Sequence, residues 1–170
     1  MSKKRKLDFV LYEDKDMKMI FRFYPRQSHC HSFNDDPPSN WDEVYKVYYA
    51  YSIILQWKED NCSKVVFDSG LDECSIIDEV AARITYILQG KEYVNIEDNE
   101  IQLLDSEIFP CGYGVSWKIN SCREPGNYEF NLWNWRNCGY RFWLDDNRAA
   151  EFGNFLHECC EYMLEHGEAI

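Results

Sequence analysis

The first part of the chain alternates between apolar and polar positions in two short runs. Leu7 to Tyr12 alternates weakly and Met17 to Tyr24 alternates well, with a charged turn between them. A period of two is typical of half-buried strands, so the two runs predict a β-hairpin. Residues 27–40 follow, and they are polar and contain two adjacent prolines. Because proline disfavours both helix and strand, we predict a loop there.

The pattern then changes to a helical period. Apolar side chains recur every three or four positions from Trp41 to Leu55, as on one face of a helix. Ser39 or Asn40 could cap such a helix, which would end near residues 58–61. We therefore predict a first helix here. Residues 64–68 come after it and could form a short strand or an extended link.

Two later segments repeat apolar side chains at the same helical period. The first starts near Asp72 or Ser75 and is followed by Gly90, a residue type that often ends a helix. The second starts after Asp145, which can cap it, and runs to about His166. We expect its apolar stripe to pack on the preceding sheet. The stripe consists of Ala149, Phe152, Leu156, Cys159 and Met163.

Five segments between these two helices have the character of successive strands. Short breaks separate them, which favours antiparallel hairpins over parallel crossovers. The predicted fold class is α+β: a mainly antiparallel sheet of about five to seven strands with three helices, the C-terminal helix packed on the sheet. No linker rich in Gly or Ser divides the chain, so residues 1–170 are predicted to form a single domain. The strand segments are residues 92–96, 100–105, 113–120, 128–135 and 139–144.

Charge narrows the range of partners. The chain has 170 residues and a net charge of −12. Residues 1–30 hold 8 basic and 4 acidic side chains, whereas the remaining 140 hold 10 basic and 26 acidic ones. This balance repels phosphate backbones, so direct nucleic-acid binding is not expected. It favours fast encounter with a basic protein partner.

Hydropathy and cysteine usage predict the cellular compartment of the protein. No stretch is long and apolar enough to span a membrane, and the N-terminus lacks the apolar core of a signal peptide. We therefore expect a cytoplasmic protein that does not act at a membrane. The 8 cysteines contain no C-x-x-C pair, which argues against a zinc ribbon or a redox motif. We expect reduced thiols that pack as small hydrophobes.

The sequence carries no standard catalytic motif. Neither a nucleophile elbow nor a phosphate-binding loop is present, so we expect no enzyme activity and no cofactor. The cluster His29-Cys30-His31, with Asp35 or Asp36 as a third ligand, is the one metal-like grouping. Its spacing matches no standard zinc pattern, and we do not predict a metal there. A small enzyme with a non-standard site in the loop from His29 to Asp36 remains an alternative.

One aromatic strand has an unusual second face. In Tyr128–Trp135, the face with Phe130 is predicted to be core, and the other face combines Trp133 and Trp135 with Glu and Asn side chains. Such a mixture suits a half-exposed adhesive surface, but a helix covering the two tryptophans would explain it equally well. The residues predicted to contact a partner are Asp35, Asp36, Trp41, Asp42, Glu43, Trp133 and Trp135.

The general character of the chain is similar to that of a known functional class. It is a small, acidic α+β domain with surplus Trp and Tyr, and it ends with the strand Arg141–Leu144 leading into the capped helix that begins Asp145–Phe152. In these respects it resembles the immunity proteins of bacterial contact-dependent or type VI toxin systems. The resemblance implies a non-catalytic protein that neutralises a basic toxin domain, often a nuclease.

Three other functions remain open from the sequence. A phage-encoded inhibitor or nucleic-acid mimic acting on a host nuclease would use the same acidic charge and aromatic side chains. A small enzyme and a subunit of a larger complex are the other two. The sequence does not fix the oligomeric state.

Overall fold

The described part of the chain forms two larger antiparallel sheets, a small two-stranded sheet and two helices. All strand pairs are antiparallel, as the short connections in the sequence predict. The computed structural model describes residues 7–25, 48–69, 72–90, 93–95, 100–102, 106–108, 115–134 and 138–166.

The N-terminal sheet has the strand order β1-β2-β3-β4, and a two-residue strand, β5, also pairs with β3. The predicted hairpin is confirmed as β1 and β2. Asp14 closes its turn, because one carboxylate oxygen accepts the backbone N–H groups of Asp16 at 2.8 Å and Met17 at 2.7 Å. The strands are β1 (Leu7–Glu13), β2 (Met17–Pro25), β3 (Tyr48–Trp57), β4 (Ser63–Asp68) and β5 (Asp72–Glu73).

The C-terminal sheet has the order β11-β10-β9-β8, so each strand lies beside its neighbour in sequence. A separate two-stranded sheet, β6–β7, precedes it in the chain. Strand β8 was not predicted from the sequence. The strands are β6 (Tyr93–Asn95), β7 (Glu100–Gln102), β8 (Ser106–Ile108), β9 (Val115–Ser121), β10 (Asn127–Asn134) and β11 (Gly139–Asp145).

The two helices are α1 (Cys74–Leu88) and α2 (Asp146–His166). Asp145 caps α2 as predicted, because its Oδ1 accepts the backbone N–H of Arg148 at 2.9 Å. Gly90 follows α1 with a positive φ of 62°, the left-handed conformation that glycine adopts without strain. Both of these helix predictions are confirmed.

The predicted fold class is wrong in its architecture, although the protein is α+β overall. The sequence predicted one main sheet of about five to seven strands with three helices. The strands instead belong to two larger sheets and a small one, and the described residues contain two helices. The C-terminal helix does pack on sheet strands, with contacts to β1, β10 and β11.

The first predicted helix accounts for part of the error, because residues 48–57 of that segment form strand β3. This strand is paired on both sides, and its five residues from Ala50 to Ile54 are all buried. A central strand buried on both faces is apolar throughout and shows no alternation. Its aromatic side chains happen to recur at helical spacing as well. β-branched and aromatic residues favour the strand.

One continuous hydrophobic core joins the two larger sheets and both helices. Phe152 of α2 lies at its centre, with ring centroids 5.2 Å from Phe21 of the N-terminal sheet and 5.7 Å from both Phe130 and Phe142 of the C-terminal sheet. The helices approach each other closely at Gly153, where a Cβ atom would be 3.2 Å from Ile84 Cγ2. The core and α2 lie on the side of the C-terminal sheet that carries its buried positions, so the side chains that alternate with these positions point away from α2.

Candidate functional site

The outward side of strands β10 and β11 carries the most distinctive exposed surface of the described residues. The register places Glu129 opposite Trp143, Asn131 opposite Arg141, and Trp133 opposite Gly139. Successive side chains of a strand point to opposite faces, so these six residues share one face. Their neighbours on the other face, including Phe130, Leu132, Phe142 and Leu144, are buried. We call the set Glu129, Asn131, Trp133, Gly139, Arg141 and Trp143 the tryptophan face.

A row of hydrogen bonds crosses the middle of the tryptophan face. Arg141 Nε donates to Asn131 Oδ1 at 2.7 Å, and Asn131 Nδ2 donates to Glu129 Oε1 at 2.8 Å. A guanidinium nitrogen of Arg141 also lies 3.7 Å from Glu129 Oε2. Asn131 itself is buried, and its side-chain oxygen and nitrogen both form hydrogen bonds with neighbours on the same face. Buried polar groups usually have such partners.

Glu129 is held in its charged form. The Asn131 amide is the main cause that lowers the pKa of the Glu129 carboxyl. Burial opposes this shift, and the Asn120 amide, the Arg141 charge and the Trp143 indole N–H lower the pKa further. Hydrogen bonds and positive charge near a carboxylate stabilise its ionised form. The carboxylate therefore joins the polar row through the Asn131 amide and the Arg141 charge.

The two tryptophans of this face are exposed, although the polar residues between them are hydrogen-bonded to one another. Trp133 is 39% exposed and Trp143 is 57% exposed. Trp133 lies over the backbone of Gly139, where a Cβ atom would be only 2.9 Å from the indole Cδ1. The glycine thus leaves the space that the indole occupies. An open depression of about 250 Å³ lies here, lined by Asn131, Trp133, Gly139, Tyr140 and Arg141.

The structure places one predicted contact residue, Trp133, on this face. Of the two interpretations of the Tyr128–Trp135 strand, half-exposed or covered by a helix, the exposed one holds for Trp133. The other predicted contact residues lie outside the described residues, as does the loop from His29 to Asp36. They are Asp35, Asp36, Trp41, Asp42, Glu43 and Trp135.

Sequence reasoning missed Arg141 and Trp143 as surface residues. Both were within a predicted strand, and the alternation Gly139, Arg141, Trp143 against Phe142 and Leu144 was the available signal. Their importance depends on the strand register, which brings them beside Glu129 and Asn131. A hairpin connection between β10 and β11 could have indicated that pairing.

Comparisons with protein-family models, with curated proteins and with solved structures found no match. Neither described helix is long and apolar enough to cross a membrane. Among the residues that the structure describes, no three His, Cys, Asp or Glu side chains come together in a way that could hold a metal ion. Cys62 and Cys122 are free thiols.

Proposed function

We propose that this protein is a non-catalytic inhibitor that binds a basic protein partner through the tryptophan face, as an immunity protein binds its cognate toxin. The partner would be a toxin domain such as a nuclease. The observation that carries the proposal is the pair of exposed indoles, Trp133 and Trp143, on either side of Arg141. Tryptophan, tyrosine and arginine are the residue types enriched among the energetically dominant residues of protein interfaces.

The contacts among the side chains of the tryptophan face support a binding role. Exposed indoles that moved freely would lose conformational entropy on binding and would weaken the complex. Here Gly139 leaves room for Trp133, and Glu129 lies opposite Trp143 in the register. Asn131 and Glu129 also hold Arg141 through its Nε and guanidinium contacts. Such preorganisation reduces the ordering cost at a protein interface.

The charge of the chain supports a basic partner. The chain has a net charge of −12. Helix α2, on the other side of the C-terminal sheet from the tryptophan face, adds to this overall field with 5 acidic residues and 1 basic residue, of which Glu151, Glu158 and Glu161 are exposed. A negative surface attracts a basic domain over a distance of several ångströms and raises the association rate. A toxin that acts on nucleic acid needs positive charge near its active site. An acidic inhibitor with aromatic anchors is complementary to such a surface.

Replacing Trp133 with alanine is expected to weaken partner binding by roughly 30-fold or more, which corresponds to about 2 kcal/mol. The weaker binding should result from faster dissociation, because the substitution removes a contact that forms within the complex. Trp57→Ala is the matched control, since Trp57 is also 39% exposed but lies on β3 of the other sheet. Surface plasmon resonance with a purified candidate toxin domain from a neighbouring gene measures both rates.

The control variant Trp57→Ala should change the affinity by less than about threefold, as expected for an exposed residue outside the interface. The proposal for this face is contradicted if the two variants bind alike. A partner can be recognised independently by affinity purification with wild-type and Trp133→Ala baits. The true partner should be less abundant among the proteins that the Trp133→Ala bait retains. Failure of both baits to retain any protein would contradict the binding function as a whole.

Association is also expected to slow as salt rises. Exposed charges are screened beyond about 8 Å at physiological ionic strength, so steering weakens when salt is added. Reversing Asp35 and Asp36 to lysine should lower the association rate more than it raises the dissociation rate. Stopped-flow association at two salt concentrations tests this. An association rate that responds to neither change would eliminate electrostatic steering.

A further inference from the structure

We propose that the Trp143 end of the tryptophan face is a cation site that accepts an arginine or lysine side chain of the partner. The cation would lie over the exposed indole, and Glu129 would supply the opposite charge beside it. This inference rests on the proposed binding function and specifies which group of the basic partner this surface takes. Trp143 is the most exposed of the large hydrophobic side chains described, at 57%.

The ring of Trp143 suits a cation. The face of an indole carries negative electrostatic potential and attracts an ammonium or guanidinium group placed within about 6 Å of the ring centre. The register places Trp143 opposite Glu129, so a carboxylate lies beside the ring. More than half of the side chain is exposed, so ring surface remains available for a ligand.

The charges around Trp143 favour a cation over an anion. Glu129 lies directly opposite it in the register. Asp145 is two positions further along β11, on the same exposed side of the strand, where it also caps α2. Arg141 is the one cation among these outward neighbours on β10 and β11, and its charge lies next to Glu129. Lys118 is on the same face, but it lies on β9, which is separated from β11 by β10. Beside Trp143 itself, two carboxylates against one guanidinium leave an excess of negative charge, which complements a basic side chain.

The Trp133 end has a different character. Its opposite residue is Gly139, which brings no charge, and the depression beside it is lined on one side by Arg141. No carboxylate lies opposite Trp133 to offset the charge of Arg141, so an apolar group suits the depression better than a second cation. The two indoles therefore have separate roles: Trp133 takes an apolar group, and Trp143 takes the cation.

The cation site can be tested without the partner. The chain has 6 tryptophans, so a ¹H–¹⁵N spectrum gives 6 indole signals, which substitutions such as Trp143→Leu and Trp57→Phe assign. N-acetyl-arginine amide is titrated against the protein at constant ionic strength. We expect a saturating shift of the Trp143 indole signal and no comparable shift of the Trp57 signal. N-acetyl-norleucine amide, which lacks the charge, should not produce the shift.

A matched pair of charge variants separates the local site from the net charge of the chain. Glu129→Gln should reduce the arginine-induced shift severalfold, whereas Glu151→Gln removes the same charge at an exposed position of α2 and should leave the shift unchanged. The inference is overturned if norleucine amide shifts Trp143 as strongly as arginine amide does. Equal effects of the two Gln variants, or no saturating shift at all, would also overturn it.

The same variants examined with the partner distinguish this inference from the proposed function. Trp143→Leu keeps apolar bulk but removes the ring, and it should weaken partner binding by about 5- to 30-fold, the range of a partly desolvated cation–π contact. If Trp133→Ala weakens the complex and arginine amide does not shift Trp143, the binding function stands and the cation site fails. If arginine amide binds but no partner responds to Trp133→Ala, the cation site stands and the proposed interface fails.

Discussion

Phe152→Ala is expected to lower the free energy of unfolding by about 3–5 kcal/mol, the usual cost of removing a buried phenylalanine. Phe152 has no solvent exposure, and its ring contacts aromatic rings from both larger sheets. Phe9 of β1 lies 5.1 Å away between centroids as well. Because side chains from so many elements surround the site, they cannot move together to fill the space, and the cavity cost should be near the upper limit.

Urea denaturation followed by circular dichroism measures the effect of Phe152→Ala. Asn154→Ala is the control on the same helix, since Asn154 is exposed and alanine is a better helix former. The control should change stability by less than about 0.5 kcal/mol, as surface substitutions usually do. A loss below about 1 kcal/mol for Phe152→Ala would show that this position is not at the centre of the core.

The C-terminal helix was the most predictable element because its signals are local and agree with one another. Asp145 caps the first turn, and Phe152, Leu156 and Cys159 recur at helical spacing. A capping side chain and an apolar stripe both depend on residues within a few positions of each other. The β10–β11 hairpin was predictable for the same reason.

The division of the strands into two sheets was not predictable in this way. It depends on contacts between distant residues, such as the hydrogen bond from Trp117 to Tyr51, which are 66 positions apart. Strand β3 shows a second limit. Its run Tyr48–Trp57 is apolar on both sides because it is a central strand, and periodicity cannot separate a buried strand from a buried helix.

The tryptophan face was partly predictable. Alternation along β10 correctly placed Trp133 on a face with Glu129 and Asn131, opposite the core. What alternation cannot give is the neighbour across the strand pair. Arg141 and Trp143 acquire their roles from the register with Asn131 and Glu129, and a shift of one residue would turn them to the core side.

Trp117→Ala should also lower the unfolding free energy by about 3–5 kcal/mol, because this side chain is fully buried. Trp117 also connects the two larger sheets. The indole of this β9 residue donates its N–H to the hydroxyl of Tyr51 on β3 at 2.8 Å, and the two rings are 5.7 Å apart. Phe21 of β2 lies 6.2 Å from the same indole.

Tyr51→Phe separates the hydrogen bond from the packing at this junction. The substitution keeps the ring but removes the acceptor, so the buried indole N–H of Trp117 loses the hydroxyl to which it donates. An unsatisfied buried donor costs about 1–3 kcal/mol, and we expect a loss in that range. Tyr12→Phe is the comparison, since the Tyr12 hydroxyl donates to Asp14 at an exposed site, and it should cost less than about 0.5 kcal/mol.

If Trp117 and its neighbours unite the two sheets in one core, the wild-type protein should unfold in a single transition. Tryptophan fluorescence and far-ultraviolet circular dichroism should then give coincident curves, and both variants should shift the two curves together. Curves that separate would mean that the sheets unfold independently. In that case the losses for Trp117→Ala and Tyr51→Phe would be confined to one transition, and the tryptophan face would belong to a C-terminal unit that holds its own structure.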